Sequence, residues 1–251
     1  MTYCIAASID EGLILVSDSR TNAGIENVST HGKMHAFVTS ADRTLVLLSA
    51  GNLATTQAVL EQLHRDKLKN AEVNLNNVEC LSDAALYLGQ ISMEKQKLYQ
   101  NPEGQSAFDA SATFILAGQI SPNPPAVYMI YAEGNNITTS DNTPFLQIGE
   151  IKYGKPVLDR FLKPDTSLDE AARCCLVSMD STLRSNASVG PPIELLIYRK
   201  DSYSLDEYFC LQDADEYLVA LRREWEKQLQ QAFASLPELQ QSRAGMLKAK
   251  L

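Results

Sequence analysis

Residues 2–20 read TYCIAASIDEGLILVSDSR, and this stretch decides the fold class. Residues 3–9 alternate between two sets of side chains, as the two faces of a β-strand do. Residues 10–12 (DEG) then supply a turn. The continuous apolar run at 13–16 is typical of a strand that is covered on both faces. The chain therefore opens with two strands joined by a turn, and at least the second strand is predicted to be buried.

Beyond this stretch, strands and helices come in separate runs instead of alternating regularly. Strand patterns lie at 33–39, 45–48, 113–118, 127–132 and 194–199. Helical periodicity predicts four helices. The first covers 53–70, and the second runs from a predicted cap at Ser82 to residue 98. The third follows Ser167, and the fourth begins at Asp213. Residues 167–170 (SLDE) have the form of a capping box. This order predicts an α+β fold in which antiparallel sheets are covered by helices.

The same pass along the chain predicts one domain. No linker, internal repeat or low-complexity tract divides the sequence, so we expect residues 1–236 to form a single domain. Residues 237–251 are largely polar and are interpreted as a tail that is either mobile or docked on a neighbouring subunit.

The composition excludes several classes of protein. Of the 251 residues 45% are hydrophobic and 21% charged, which excludes wholesale disorder. A net charge of −9 argues against nucleic acid and against an anionic membrane surface, because both attract basic proteins. No stretch approaches the roughly 20 apolar residues of a membrane span, and no basic segment marks a secretory signal. The five scattered cysteines fit reduced thiols, and we therefore expect a cytoplasmic protein.

The common catalytic motifs are absent from the sequence, which has no GxGxxG, P-loop, HExxH, CxxC or GxSxG. His31 and His35 are four residues apart, a spacing that suits a metal on a helix. Gly32 and the strand-like pattern argue against a helix there, so both histidines are predicted to face solvent. We expect neither a metal nor an organic cofactor.

The N-terminus offers a possible nucleophile. Thr2 follows the initiator methionine, and methionine before a small residue is ordinarily removed. Removal leaves a threonine that carries a hydroxyl and a free α-amino group, a known pairing of nucleophile and base. The unperturbed pKa of an α-amino group, about 7.7–8.0, suits a general base. Because many proteins begin Met-Thr, this signal is weak by itself.

Other candidate residues lie at the ends of the next strands. Asp18 ends a strand and Lys33 begins another, so the two can form an ion pair beside Thr2, with Arg20 in support. Gly51 follows an apolar strand and offers a backbone N–H to an oxyanion. By spacing alone, a surface ion pair that contributes little is favoured for Asp18 and Lys33, and a glycine that merely turns the chain explains Gly51 equally well.

Several motifs together resemble a known family. Four motifs have the spacing found in proteasome β-type subunits: TYC at 2–4, SDSRTN at 17–22, TxxKM at 30–34 and SAGNLA at 49–54. Those that resemble the Anbu family of bacterial proteasome-like proteins in particular are DSRTNAG at 18–24, KMH at 33–35 and IGEIKYGKP at 148–156. The similarity covers the whole chain. It implies an N-terminal-nucleophile hydrolase fold, a four-layer αββα sandwich, and self-association into rings or helical assemblies.

The resemblance also assigns roles to residues. It implies that Thr2 is the nucleophile, Asp18 its supporting acid, Lys33 the lysine that tunes the threonine, and Gly51 the oxyanion donor. Arg20 matches a supporting position. The sequence departs from classical subunits in two places, where Glu150 replaces a serine beside the amine, and where Asn186 and Ser188 stand in for an Asp and a Ser.

The leading hypothesis is thus an N-terminal threonine peptidase or amidase that works in a homo-oligomer and is activated by removal of Met1. Two alternatives remain. The change at Glu150 favours a weakly active or inactive assembly or peptide-binding scaffold. The third hypothesis is a non-peptide amidohydrolase, because the same fold and nucleophile also serve small amides. The sequence leaves open the cleavage preference, the ring size and any ATPase partner.

Overall fold

A computed structural model describes residues 2–22, 28–99 and 109–238. The strands in these ranges are β1 (Tyr3–Ile9), β2 (Gly12–Asp18), β3 (Arg20–Asn22), β4 (Val28–Thr30), β5 (Met34–Ser40), β6 (Arg43–Gly51), β7 (Ala112–Ile120), β8 (Ala126–Ile130), β9 (Asn136–Thr138), β10 (Phe145–Gly149), β11 (Ile193–Arg199) and β12 (Tyr208–Leu211). The helices are α1 (Leu53–Leu68), α2 (Leu81–Tyr99), α3 (Lys155–Phe161), α4 (Leu168–Ser185) and α5 (Glu216–Ala234).

The chain divides into two compact units, one that ends at Asp213 and one that begins at Ala214. The first contains the strands and α1 to α4, and the second contains α5. The single domain expected over 1–236 stays a prediction, and most of the proposed tail, 239–251, lies outside the described residues. Within the described ranges, no helix is both long and apolar enough to cross a membrane.

Two antiparallel five-stranded sheets form the centre of the first unit. One has the order β10-β1-β2-β11-β12 and the other the order β5-β6-β7-β8-β9, while β3 and β4 form a separate ribbon. The two strands predicted from residues 2–20 pair directly, with Ile5 opposite Val16. The predicted α+β class with antiparallel sheets is therefore confirmed.

The alternation in β1 places its side chains on two different faces. Cys4 and Ala6 belong to an apolar core that joins the two sheets. Tyr3 points the other way, and its hydroxyl lies 2.7 Å from Ser178 Oγ on α4. Because one face meets the second sheet and the other meets a helix, even this short strand is almost fully buried.

Helices cover the outer faces of both sheets. Residues of α1 and α2, such as Leu63 and Leu88, share a second core with Phe114 of β7. On the other side, α4 packs against β1 and β2. The resulting order of layers is helix, sheet, sheet, helix, which is the αββα sandwich that the resemblance implied.

The local signals agree with the structure at one helix and differ at two. The capping box is present, since Ser167 Oγ accepts a hydrogen bond from the backbone N–H of Glu170. The last helix begins at Glu216 instead of residue 213, because the Asp215 side chain accepts hydrogen bonds from the backbone N–H groups of Tyr217 and Leu218. Ser82 lies inside α2 and bonds to Cys80, so the predicted cap at this residue was wrong.

Candidate active site

A cavity of about 220 Å³ lies beside Thr2 at one end of the two sheets. Thr2 precedes β1, Lys33 precedes β5, and Gly51 ends β6, so three strand ends meet there. Arg20 of β3 also lines the cavity. Four of the predicted site residues therefore line one cavity, although they are spread over residues 2–51 of the chain.

The ion pair between Asp18 and Lys33 is buried. Asp18 Oδ1 lies 2.6 Å from Lys33 Nζ, and the two side chains are 0% and 8% exposed. The carboxylate also accepts hydrogen bonds from the backbone N–H groups of Tyr3, at 3.0 Å, and Gly190, at 3.1 Å. The surface ion pair that the sequence left open is therefore excluded.

The surroundings of Asp18 act on its charge in opposite directions. Burial raises the pKa of the carboxyl, because it disfavours the charged form. The Lys33 ammonium and the two backbone N–H groups oppose this effect, since they stabilise the carboxylate. Lys33 Nζ also donates to Arg20 O at 2.7 Å. The ammonium group is thereby held by two acceptors at the edge of the cavity.

Arg20 is fixed by the loop between α4 and β11. Its backbone N–H donates to Gly190 O at 3.1 Å, and its Nη1 donates to Ala187 O at 2.7 Å. Gly190 has no side chain to obstruct this contact, since an added Cβ would lie 2.3 Å from the guanidinium carbon. Arg20, whose carbonyl oxygen binds Lys33, is therefore joined to the loop at 187–190.

Gly51 combines a special backbone conformation with a place at the cavity. Its φ of +106° is one that residues with a side chain rarely adopt. A Cβ there would lie 2.5 Å from Ser111 O, so the neighbouring strand also leaves no room. The next residue, Asn52, caps α1 by accepting a hydrogen bond from the Thr55 N–H at 3.1 Å. Gly51 thus turns the chain from β6 into α1 and also lines the cavity.

The remaining predicted residues form a second group. Glu150 follows β10, is 5% exposed, and donates its backbone N–H to Thr2 O at 2.7 Å. Its carboxylate accepts from Asn186 Nδ2 at 2.9 Å, and Asn186 Oδ1 accepts from the Ser188 N–H at 2.9 Å. A chain of hydrogen bonds therefore connects Thr2 to Ser188, although Glu150, Asn186 and Ser188 do not line the cavity.

The prediction that both histidines face solvent was wrong for His35. His31 is exposed, but His35 is partly buried, and both line the cavity. Burial lowers the pKa of His35, an effect that Glu194 opposes and that His64 adds to. The sequence could not place this ring, because the α1 residues that line the same cavity come later in the chain and meet His35 only in the fold.

Sequence reasoning also missed Glu194 of β11, which is 8% exposed. Its carboxylate accepts hydrogen bonds from Ser17 Oγ at 3.2 Å, from the Lys33 backbone N–H at 3.3 Å and from the Tyr208 hydroxyl at 2.7 Å. The signal was present in the sequence as a single acid in the apolar run 193–198. Glu194 therefore holds the backbone of Lys33 by a hydrogen bond, and Asp18 holds its side chain by an ion pair.

We expect the substitution Glu194→Ala to lower the free energy of unfolding by about 2–4 kcal/mol, because it leaves two buried donors and the partly exposed Tyr208 hydroxyl without their acceptor. Tyr208→Phe removes only one of these donors and is expected to cost about 1 kcal/mol. Urea unfolding of the two variants and the wild type measures both effects. Equal losses in the two variants would contradict the central position of Glu194.

No group of three or more His, Cys, Asp or Glu side chains in the described part of the chain is arranged to hold a metal ion. The chemistry that the cavity offers is that of a hydroxyl at Thr2, the Lys33 ammonium and the backbone N–H of Gly51. This combination suits acyl transfer, in which a hydroxyl attacks a carbonyl and the oxyanion is held by hydrogen-bond donors.

Comparison with solved structures gives close matches over nearly the whole chain. Anbu (ancestral β-subunit) from Yersinia bercovieri is 42% identical, with a TM-score of 0.90, and the match covers 96% of this chain and 100% of that one. The helical assembly of the Anbu complex from Pseudomonas aeruginosa is 42% identical, with a TM-score of 0.91 and the same coverage. Anbu from Hyphomicrobium sp. strain MC1 is 38% identical, with a TM-score of 0.86, over 95% of this chain and 99% of that one.

No protein-family model matches the chain, and a search of curated proteins gives no significant match.

Proposed function

The chain belongs to the Anbu family of proteasome-like proteins, and from this we propose that it is an N-terminal threonine hydrolase that cleaves peptide or amide bonds. The observation that carries the proposal is the buried Asp18–Lys33 pair on the wall of the cavity that Thr2 lines. A buried ion pair costs desolvation energy, and buried charged groups in a cavity are often catalytic. The position of this pair at the cavity that Thr2 lines therefore supports a catalytic role.

The proposed reaction begins with Thr2 as the first residue of the chain. Its free α-amino group takes the proton from Oγ1, and Oγ1 forms a bond to the substrate carbonyl carbon. The Lys33 ammonium favours this step because its positive charge stabilises the developing alkoxide. The oxyanion of the tetrahedral intermediate accepts a hydrogen bond from the Gly51 N–H.

The second half of the reaction releases both products. The carbon–nitrogen bond breaks, the leaving amine takes the proton from the Thr2 ammonium, and an ester to Oγ1 remains. Water attacks this ester while the α-amino group accepts a proton from the water. The acid product then leaves, and the proton returns to Oγ1. No step needs a metal or an organic cofactor.

The other predicted residues are assigned supporting roles. Arg20 supplies the backbone carbonyl oxygen that accepts a hydrogen bond from Lys33 Nζ, and this bond helps to fix the ammonium group. Glu150 holds the Thr2 carbonyl through its backbone N–H and bonds through its carboxylate to Asn186, which in turn holds Ser188. In this proposal, the three residues orient the N-terminal amine by fixing the peptide that follows it.

The first test is the state of the N-terminus. Met1 lies outside the described residues, and as long as it is attached, its peptide bond removes the proposed base. We expect intact-mass spectra of the purified protein to show the loss of one methionine, and a peptide epoxyketone to add to the chain at Thr2. A purified protein that retains Met1 and resists the probe would favour the alternative, an inactive assembly or peptide-binding scaffold.

The proposal includes self-assembly and a cytoplasmic location. The Anbu complex from Pseudomonas aeruginosa is described as a helical assembly, and this chain matches all of that chain. The five cysteines are unpaired, as in a reducing compartment. Light scattering of the purified protein is expected to give a mass of several subunits. A monomer at micromolar concentration would contradict this part of the proposal.

A further inference from the structure

The proposed reaction does not use the part of the cavity that lies between α1 and His35. Leu53, Thr56, Gln57 and Leu60 line it from one face of α1, because helical residues three and four apart lie on the same side. We propose that this recess binds the side chain of the residue whose carbonyl is attacked, and that it selects an acidic side chain, Asp or Glu. The inference rests on the proposed function, which supplies the position of the carbonyl beside Thr2.

The charges of the wall support this choice. None of the residues that line the cavity is acidic, whereas Arg20 and Lys33 carry positive charges. Two buried carboxylates bind Lys33 without lining the cavity. Asp18 is occupied by the ammonium and two backbone N–H groups, and Glu194 is occupied by three donors. The cavity therefore has no acidic lining residue, and Lys33 carries a positive charge at its edge, while the Arg20 guanidinium donates to Ala187 O.

His35 adds a hydrogen-bond donor on the same wall. Its Nε2 is buried and has no hydrogen-bond partner among the described residues. Burial lowers the pKa of His35, so the ring is neutral at pH 7 and carries one N–H. Because the Nε2 position offers no acceptor, the proton is better placed on Nδ1 of this ring, which lines the cavity. Among peptide side chains, a carboxylate is the strongest hydrogen-bond acceptor for such a donor.

The apolar part of the wall fits the remainder of an acidic side chain. Ala50, Leu53 and Leu60 line the cavity along with the polar groups. They can contact the methylene groups of Glu or Asp while the carboxylate meets His35. An aliphatic side chain would fill the same space without using the donor, and a basic side chain would bring a positive charge to a cavity that has no acidic lining residue to pair with it.

The test uses four peptide epoxyketones that differ only in this side chain, which is Glu, Gln, norleucine or Arg. Each is reacted with the full-length wild-type protein, and the rate of adduct formation at Thr2 is followed by intact mass. We expect the Glu probe to react at least about 10-fold faster than the Gln probe, because hydrogen bonds to a charged acceptor are about twice as strong as neutral ones. Equal or faster reaction of any of the other three probes overturns the inference.

Variants then test the residues of the recess. His35→Phe keeps a flat ring without its nitrogens and is expected to remove most of the preference for Glu. His64→Phe makes the same change at a residue that stacks on Phe37 and does not line the cavity, so it should preserve the preference. Loss of preference in both variants, or in neither, contradicts the role of His35.

A second variant avoids the buried ring. Gln57 is exposed on α1, so Gln57→Glu places a carboxylate at the cavity with little effect on folding. We expect it to lower the ratio of the Glu-probe rate to the norleucine-probe rate severalfold, with a smaller change in this ratio at 1 M salt because of screening. An unchanged or increased rate for the Glu probe would count against an acidic preference.

A binding measurement separates this inference from the proposed function. Thr2→Ala protein is titrated with acetylated peptide amides that end in Glu, Gln or norleucine. If no epoxyketone reacts with the wild type but the Glu peptide binds most tightly, the hydrolase assignment fails and the acidic recess stands. If the probes react without preference and the peptides bind equally, the hydrolase assignment stands and the acidic recess fails.

Discussion

Replacing Thr2 by alanine should abolish covalent labelling by epoxyketones and β-lactones and reduce any peptide hydrolysis to background. The hydroxyl is the proposed attacking group, and loss of the nucleophile of a serine hydrolase lowers kcat by about 10⁶-fold. The fold should be unaffected, because the structural hydrogen bond at this residue runs from the Glu150 N–H to the Thr2 carbonyl. Intact mass measures the labelling, and urea unfolding measures the stability.

Thr2→Ser is the matched variant for this experiment. It keeps both the hydroxyl and the α-amino group, so we expect it to retain labelling while Thr2→Ala loses it. Labelling that survives in Thr2→Ala would place the nucleophile elsewhere and overturn the proposed function. Loss of labelling in both variants, with unchanged stability, would mean that the methyl group of Thr2 is itself required.

Replacing Lys33 by methionine should reduce both activity and stability. The change leaves the Asp18 carboxylate buried without its counter-ion, which costs about 3–5 kcal/mol in unfolding free energy. It also removes the charge that stabilises the alkoxide, so labelling at Thr2 should slow by about 10²–10³-fold, the usual effect of losing one electrostatic group. Urea unfolding and the labelling rate measure the two effects on the same protein.

The loss of stability in Lys33→Met should depend on pH. Burial already raises the pKa of Asp18, and loss of the ammonium raises it further, so the folded variant binds a proton more tightly than the unfolded chain does. Stability linked to such a group increases as pH falls through the folded-state pKa towards the ordinary value near 4. The difference from wild type should therefore be smaller at pH 5 than at pH 7.

A double variant separates charge from packing. Asp18→Asn combined with Lys33→Met removes both charges, so most of the lost stability should return while labelling remains slow. If the double variant is as unstable as Lys33→Met, or if the loss is the same at pH 5 and pH 7, lost packing and not an unpaired charge accounts for the destabilisation.

Much of the fold could be predicted from local pattern. Residues 3–9 alternate as a strand must, and the structure assigns β1 to the same residues. The capping box at Ser167 marks the start of α4 because both partners lie within one helical turn. The short elements β10 and α3 have five and seven residues, too few for a periodic signal, and β10 is defined by its pairing with β1, about 140 residues away in the chain.

The amino-acid sequence was enough to predict the class of fold, the resemblance to the family and the candidates Thr2, Asp18, Lys33 and Gly51. The folded chain was needed to see that the ion pair is buried, that Glu194 holds the Lys33 backbone, and that His35 lines the cavity. Burial and hydrogen bonding depend on which strands and helices meet in space. Lys33 and Glu194 are 161 residues apart, and no local pattern contains that contact.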